Sequence, residues 1–223
     1  MSDMIQINQE LLLDTICTDT WVRRAWPEYL QLYNDPRFTK AKFYYFSQRI
    51  RIEMTPIGND HSRDHSIINH AVYLYASIRK IPLNGNDNCS YRRAGIREAQ
   101  PDLSFYIGEN AKAIPYGISI TDLDLYPPPD LVIEIANTSL ADDLGEKRLL
   151  YEDLGVREYW VINVPMAEII AFKIENGGSW RIQESQLLRG LSMQLLEEGL
   201  RKTREITHSE VGMWLMQKFQ EME

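Results

Sequence analysis

The run Leu131-Val-Ile-Glu-Ile-Ala136 constrains the fold of this chain more than any other stretch. Branched apolar residues flanking a single acid suit a strand covered on both faces. The preceding Tyr126-Pro-Pro-Pro-Asp130 is a stiff lead-in, because three prolines can enter neither a helix nor a central ladder. Asn137 to Ser139 then turns. Ser139 followed by Asp142, or Asp143 followed by Glu146, opens a helix through about Leu154, with Gly155 as its C-terminal cap. Glu158 to Val164 and Ala167 to Ile174 read as a hairpin around Pro165, and Trp180-Arg-Ile adds an edge strand. Strand, helix and strand in succession predict an α/β fold with a mixed sheet flanked by helices on both faces.

The rest of the chain fits around that unit. Residues 1–36 read as mostly helical. Asp19 or Thr20 caps a short helix carrying Trp21, Val22, Trp26, Tyr29 and Leu30, which Pro27 limits. Phe43 to Met54 alternates around Ser47-Gln48 as a hairpin. Residues 62–80 carry Ile67, Ala71 and Tyr75 at every fourth position, which predicts a helix capped by Asp60 or Ser62. Asn84 to Ser90 reads as a polar loop, Tyr91 to Gln100 as a strand with outward arginines, and Asp102 to Ile107 as a further strand. Ser209 is placed to cap a final amphipathic helix with Val211, Trp214, Leu215 and Phe219. No repeat or linker interrupts the chain, so 1–223 reads as one domain with its core at about 43–174 and helical appendages at both ends.

Composition bounds the function classes. Cys17 and Cys89 form neither a disulfide framework nor a metal-ligand spacing, and no apolar run approaches membrane-spanning length. The expectation is a cytoplasmic protein with no membrane partner. Net charge is −8, yet residues 37–97 hold eleven Lys or Arg against four Asp or Glu. A basic segment facing an acidic metal site suits a phosphodiester substrate, with Arg49, Arg51, Arg63, Arg92 and Arg93 as candidates for phosphate contacts.

Glu134 is the most informative residue. A carboxylate inside an apolar strand is costly to bury unless it is paired or binds a metal. Asp102 follows a proline and opens an apolar strand. Asp130 also follows a proline and shares Glu134's strand face, so spacing leaves the first carboxylate open between the two. Lys147 lies one strand and one turn after Glu134, with Asp143 and Tyr151 on the same helix face at i, i+4 and i+8. Two carboxylates and an amine form the inventory of a magnesium-dependent nuclease. His61 and His65 have the spacing of helical zinc ligands, but no Glu follows His61 and no third ligand is apparent, so zinc is not expected. His61 is read instead as a substrate contact or a helix cap. Phosphate-loop glycines and a serine nucleophile elbow are absent.

With these residues in view, the chain resembles the Uma-two family of restriction-endonuclease-like proteins, long listed as domain of unknown function eight-twenty, within the PD-(D/E)XK nuclease superfamily. The stretches that carry the resemblance are Ile52-Glu-Met-Thr-Pro-Ile-Gly-Asn-Asp-His61, Gln100-Pro-Asp-Leu-Ser104, Pro129-Asp-Leu-Val-Ile-Glu-Ile135 and Asp143-Leu-Gly-Glu-Lys147, with Tyr151, Gly155 and Glu158-Tyr-Trp-Val-Ile162. The resemblance implies that Asp102 and Glu134 hold the metal, Mg²⁺ or in its place Mn²⁺. The superfamily's lysine position, two residues after the glutamate, is Ala136 here, and the resemblance implies Lys147 as its replacement. Many relatives carry an acid where this chain has Phe43-Tyr-Tyr-Phe46, and Asp where it has Asn163. The expected function is a Mg²⁺-dependent DNA endonuclease, with Lys147 orienting water or phosphate. The alternatives are a catalytically degenerate nuclease fold used for nucleic-acid binding or regulation, and a protein-interaction module using the acidic C-terminal segment. A homodimer is expected from paired nuclease sites and from the apolar surface of Trp21, Trp26 and Trp214.

Overall fold

The computed structural model describes residues 17–54 and 58–222. Helical expectations for residues 1–16 lie outside the described residues. The chain divides into two compact units, 1–56 with 94–98, and 57–93 with 99–223.

In the first unit, β1 (Val22–Arg23), β3 (Arg49–Glu53) and β2 (Lys42–Phe46) are antiparallel neighbours in that order, and Glu98 pairs with Tyr45. The hairpin is the predicted one. Ser47 and Gln48 both take positive φ at its turn, the combination that matches the strand twist in a two-residue loop. Helix α1 (Trp26–Tyr33) packs Tyr29 and Leu32 on Phe43, Tyr45, Ile50 and Ile52. It starts later than expected. Trp21 precedes it, Val22 pairs as a strand, and the cap is Ala25, whose N–H donates to Glu28 Oε2 at 2.7 Å. Pro27 lies in the first turn, where its missing N–H costs nothing.

The second unit carries a six-stranded sheet in the order β12 (Gly178–Ile182), β11 (Glu168–Glu175), β10 (Glu158–Asn163), β9 (Leu131–Ala136), β7 (Leu103–Ile107), β4 (Leu83–Asp87). Strands β9 and β10 are parallel and the other pairings antiparallel. A short parallel pair, β5 (Ser90–Arg93) and β8 (Ile120–Asp122), lies outside this sheet, and β6 (Arg97–Ala99) follows β5 after a turn. Strand β4 corrects the expected polar loop. Its Asn and Gly residues have low strand propensity, and pairing with β7 overrides it. Gly85 is required there, because a Cβ would meet the Phe105 ring at 2.7 Å.

Alternate residues of the central strands serve opposite faces. Leu131, Ile133 and Ile135 join one core with α2 (Asn59–Ile78), α5 (Met193–Lys202) and α6 (His208–Glu221). Glu134 is on the other face, towards the β9–β10 connection. That connection is two helices, α3 (Leu140–Leu144) and α4 (Glu146–Leu154), rather than one. Gly145 breaks the run with φ −102° and ψ −106°, and a Cβ there would lie 2.8 Å from Ala141 O. Gly155 ends α4 in the left-handed region as expected. Two further cap assignments change. Gly58 caps α2 in place of Asp60 or Ser62, and Thr207 with Glu210 forms the capping box of α6 in place of Ser209. Trp21, Trp26 and Trp214 are partly buried, Trp26 and Trp214 against the cores of their own units, so they do not offer the open apolar surface expected of them. No helix among the described residues is long and apolar enough to cross a membrane.

Candidate active site

The register of β7 on β9 sets Leu103 opposite Ile133, so Asp102 and Glu134 meet where β7 begins. Each is tied to the other's strand. Ile135 N–H donates to Asp102 Oδ2 at 2.7 Å, and Asp102 N–H to Glu134 Oε2 at 3.3 Å. Helix α4 folds back over this strand end. Tyr151 Oη donates to Glu134 Oε1 at 2.6 Å, and Lys147 Nζ lies 3.7 Å from the same oxygen. Lys147 is closer to Asp143, at 2.9 Å from Oδ1.

Asp143 is itself held. Ser139 Oγ donates to its Oδ2 at 2.5 Å, and Tyr159 Oη to its main-chain oxygen at 2.9 Å. Burial, then the negative charges of Asp143 and Glu134, push the Tyr159 hydroxyl well above its usual range, which keeps it protonated as a donor. His61 Nε2 on the first turn of α2 lies 3.2 Å from Asp102 Oδ2.

The structure therefore brings Asp102, Glu134 and Lys147 into one cluster. It also separates Asp130 from them. Asp130 serves the far end of β7, where its carboxylate accepts from Ile107 N–H at 2.8 Å, Asn110 Nδ2 at 2.9 Å and Arg157 Nη1 at 3.1 Å. Those three donors give Asp130 a structural occupation. Of the arginines expected to meet phosphate, Arg51 is buried against Glu53, Arg63 donates to Thr203 O, and Arg93 engages Asp124 and Leu123 O.

Asp143 and Tyr151 acquire roles that sequence reasoning did not assign. Their signal was the spacing to Lys147, which reads equally well as an exposed ion pair. Here Asp102, Glu134, Asp143 and Lys147 are each no more than 4% exposed. Lys147 thus stands between Asp143 and Glu134, with Asp102 bonded to Glu134 beside them, in a space nearly closed to solvent. Buried charged groups of this kind persist when they are paired, hydrogen-bonded or bound to a metal. Hard carboxylate oxygens suit Mg²⁺ or Mn²⁺. Among the described residues no three His, Cys, Asp or Glu side chains are grouped to ligate one ion together.

The fold has a solved counterpart. A crystal structure from Anabaena variabilis ATCC 29413, described as a putative nuclease belonging to DUF820, superposes with a TM-score of 0.50 at 17% identity, covering 86% of this chain and 98% of that one. At that identity the likeness shows the fold. No curated protein matches the chain. The model of the Uma2 family, described as "Putative restriction endonuclease", matches residues 26–208, so the chain belongs to the Uma2 family, a membership that supports a nuclease.

Proposed function

We propose that this chain is a Mg²⁺-dependent DNA endonuclease whose site is Asp102, Glu134 and Lys147. The observation that carries the reading is the convergence of Asp102, Glu134 and Lys147, all nearly buried, at the β7–β9 strand end. Asp102 and Glu134 would hold the cation, Mg²⁺ or Mn²⁺. Bound there, it would supply Lewis-acid polarisation of a phosphodiester and acidify a coordinated water. The protein's own groups do the rest. Asp143, itself held by Ser139, holds Lys147, whose ammonium can orient a water or stabilise charge growing on phosphate. Tyr151 fixes one oxygen of Glu134, and Asp102 N–H engages the other. A preorganised carboxylate loses little freedom on taking up a cation. A cut through both strands would call for two copies of the site, and we propose a homodimer for it, which light scattering tests.

The near-closure of the site favours a second reading, a degenerate nuclease fold that binds nucleic acid without cutting. One assay separates the two. Plasmid and single-stranded DNA are incubated with Mg²⁺ or Mn²⁺, with Glu134→Ala as control. Metal-dependent cleavage lost in the variant is the expected result. Salt-dependent DNA binding without cleavage at any metal concentration supports the second reading.

A further inference from the structure

Helix α2 enters the site with two imidazoles on one side. His61 and His65 are four residues apart, their rings within 13° of parallel and 6.4 Å between centroids. His61 addresses the Asp102 carboxylate, with Nε2 at 3.2 Å from Oδ2. His65 addresses the main chain of the same residue, with Nε2 at 3.3 Å from Asp102 O, and lies 3.3 Å from Asp87 Oδ1. Asp87 ends β4, the strand that pairs with β7. One turn of helix thus grips both the carboxylate and the backbone of Asp102.

Two observations point beyond helix docking. Asp102 Oδ2 also accepts the Ile135 N–H, so donors from a helix and from a strand converge on one oxygen and set the plane of the carboxylate. The other ring nitrogen of His61, Nδ1, is buried with no hydrogen-bond partner among the described residues. With no acceptor at Nδ1, the ring's proton is best placed on Nε2, where it can be donated to Asp102 Oδ2.

We propose that His61 is the positioning residue for Asp102. Its Nε2–H holds Oδ2, so that the carboxylate is already turned to receive a divalent cation, while His65 holds the main chain behind it. This rests on the metal reading of the site. Groups that orient a metal ligand govern affinity for the ion without touching it.

The test is thermal unfolding of the metal-free full chain during titration with MgCl₂, for wild type, His61→Ala, His61→Phe and His61→Gln. His61→Phe keeps the ring volume should the alanine variant unfold. Loss of the Nε2 donor in Ala and Phe should raise the Mg²⁺ concentration needed for a given rise in melting temperature by about 10- to 100-fold. His61→Gln carries an amide N–H at similar reach and should restore most of the affinity. A helix-docking role predicts lower melting temperatures with the same Mg²⁺-dependent rise as wild type, and that result overturns the proposal. Failure of wild type to respond to Mg²⁺ overturns both this proposal and the metal site. A wild-type response matched by Ala and Phe removes His61 alone.

Discussion

Replacing Glu134 by Gln separates a metal site from a structural ion pair, because the structure assigns different partners to the two acids beside Lys147. The ammonium is 2.9 Å from Asp143 and 3.7 Å from Glu134. At an effective dielectric constant of about 20 these separations correspond to gross attractions of about 6 and 4 kcal/mol. Glu134→Gln forfeits the weaker one. It also relieves repulsion among three buried acids and the cost of desolvating one of them, which is itself several kcal/mol. The amide oxygen can still accept from Tyr151, and the bond most at risk is the long one from Asp102 N–H. The net loss should stay within about 1–2 kcal/mol, since a single hydrogen bond contributes about 1 kcal/mol. Lys147→Met is the opposite case. It removes the ammonium from beside Asp143 and Glu134, and breaking a buried pair in this way costs about 3–5 kcal/mol. For a chain of this size each kcal/mol moves the melting temperature by roughly 2–4 °C. The glutamine variant should therefore melt a few degrees below wild type, and the methionine variant on the order of 10 °C below it. Mg²⁺ should stabilise wild type and leave Glu134→Gln unmoved. It should also recover part of the Lys147→Met loss, because a cation replaces the missing charge. Equal losses in both variants, with no Mg²⁺ effect on wild type, would refute the reasoning and make the cluster a structural network.

Further outcomes follow from neighbouring residues. Tyr151→Phe removes a 2.6 Å hydrogen bond to a buried carboxylate; urea unfolding should show a loss of about 1.5–3 kcal/mol, with weaker Mg²⁺ binding. Asp130→Ala leaves the donors of Ile107, Asn110 and Arg157 without their acceptor. It should cost about 1–3 kcal/mol with the Mg²⁺ midpoint unchanged, and a shifted midpoint would contradict the separation of Asp130 from the site. Glu158 reports through pH. Burial raises its carboxyl above the usual 4.5 against the pull of Ser185, Gln186, Leu187 and Trp160, so the folded state holds the proton to higher pH than the unfolded chain does. The stability this contributes is complete below the unfolded value and is lost as pH rises through the raised folded one. The stability difference between wild type and Glu158→Gln should shrink as pH climbs from about 4.5; a difference that grows would show the carboxyl lowered instead.

The central elements were legible because local chemistry and tertiary context agree there. Leu131 to Ala136 has the composition of a doubly covered strand, the prolines before it admit little else, and Ser47-Gln48 sits between alternating apolar residues. The acid inside that strand pointed to a buried polar cluster. Other features were settled by packing that local sequence does not express. Asn84 to Asp87 is a strand because β7 presents an edge to it, and Gly85 is needed because a phenyl ring lies against its backbone. One helix became two at Gly145, whose backbone angles depend on what Ala141 and Asp142 do before it. The site shows the division most clearly. Spacing could not choose between Asp102 and Asp130, since both follow proline and both neighbour an apolar strand. The antiparallel register separates the two, setting Asp102 opposite Glu134 at one end of β7 and Asp130 beside Ile107 at the other. It likewise turned Asp143 and Lys147 from a pair on a solvated helix face into buried charges, because a fold-back onto a sheet is a long-range event. Sequence determines which groups are present and with what local geometry; only the folded chain determines how far each is from water and from the next charge, and those two distances set the electrostatics of the site.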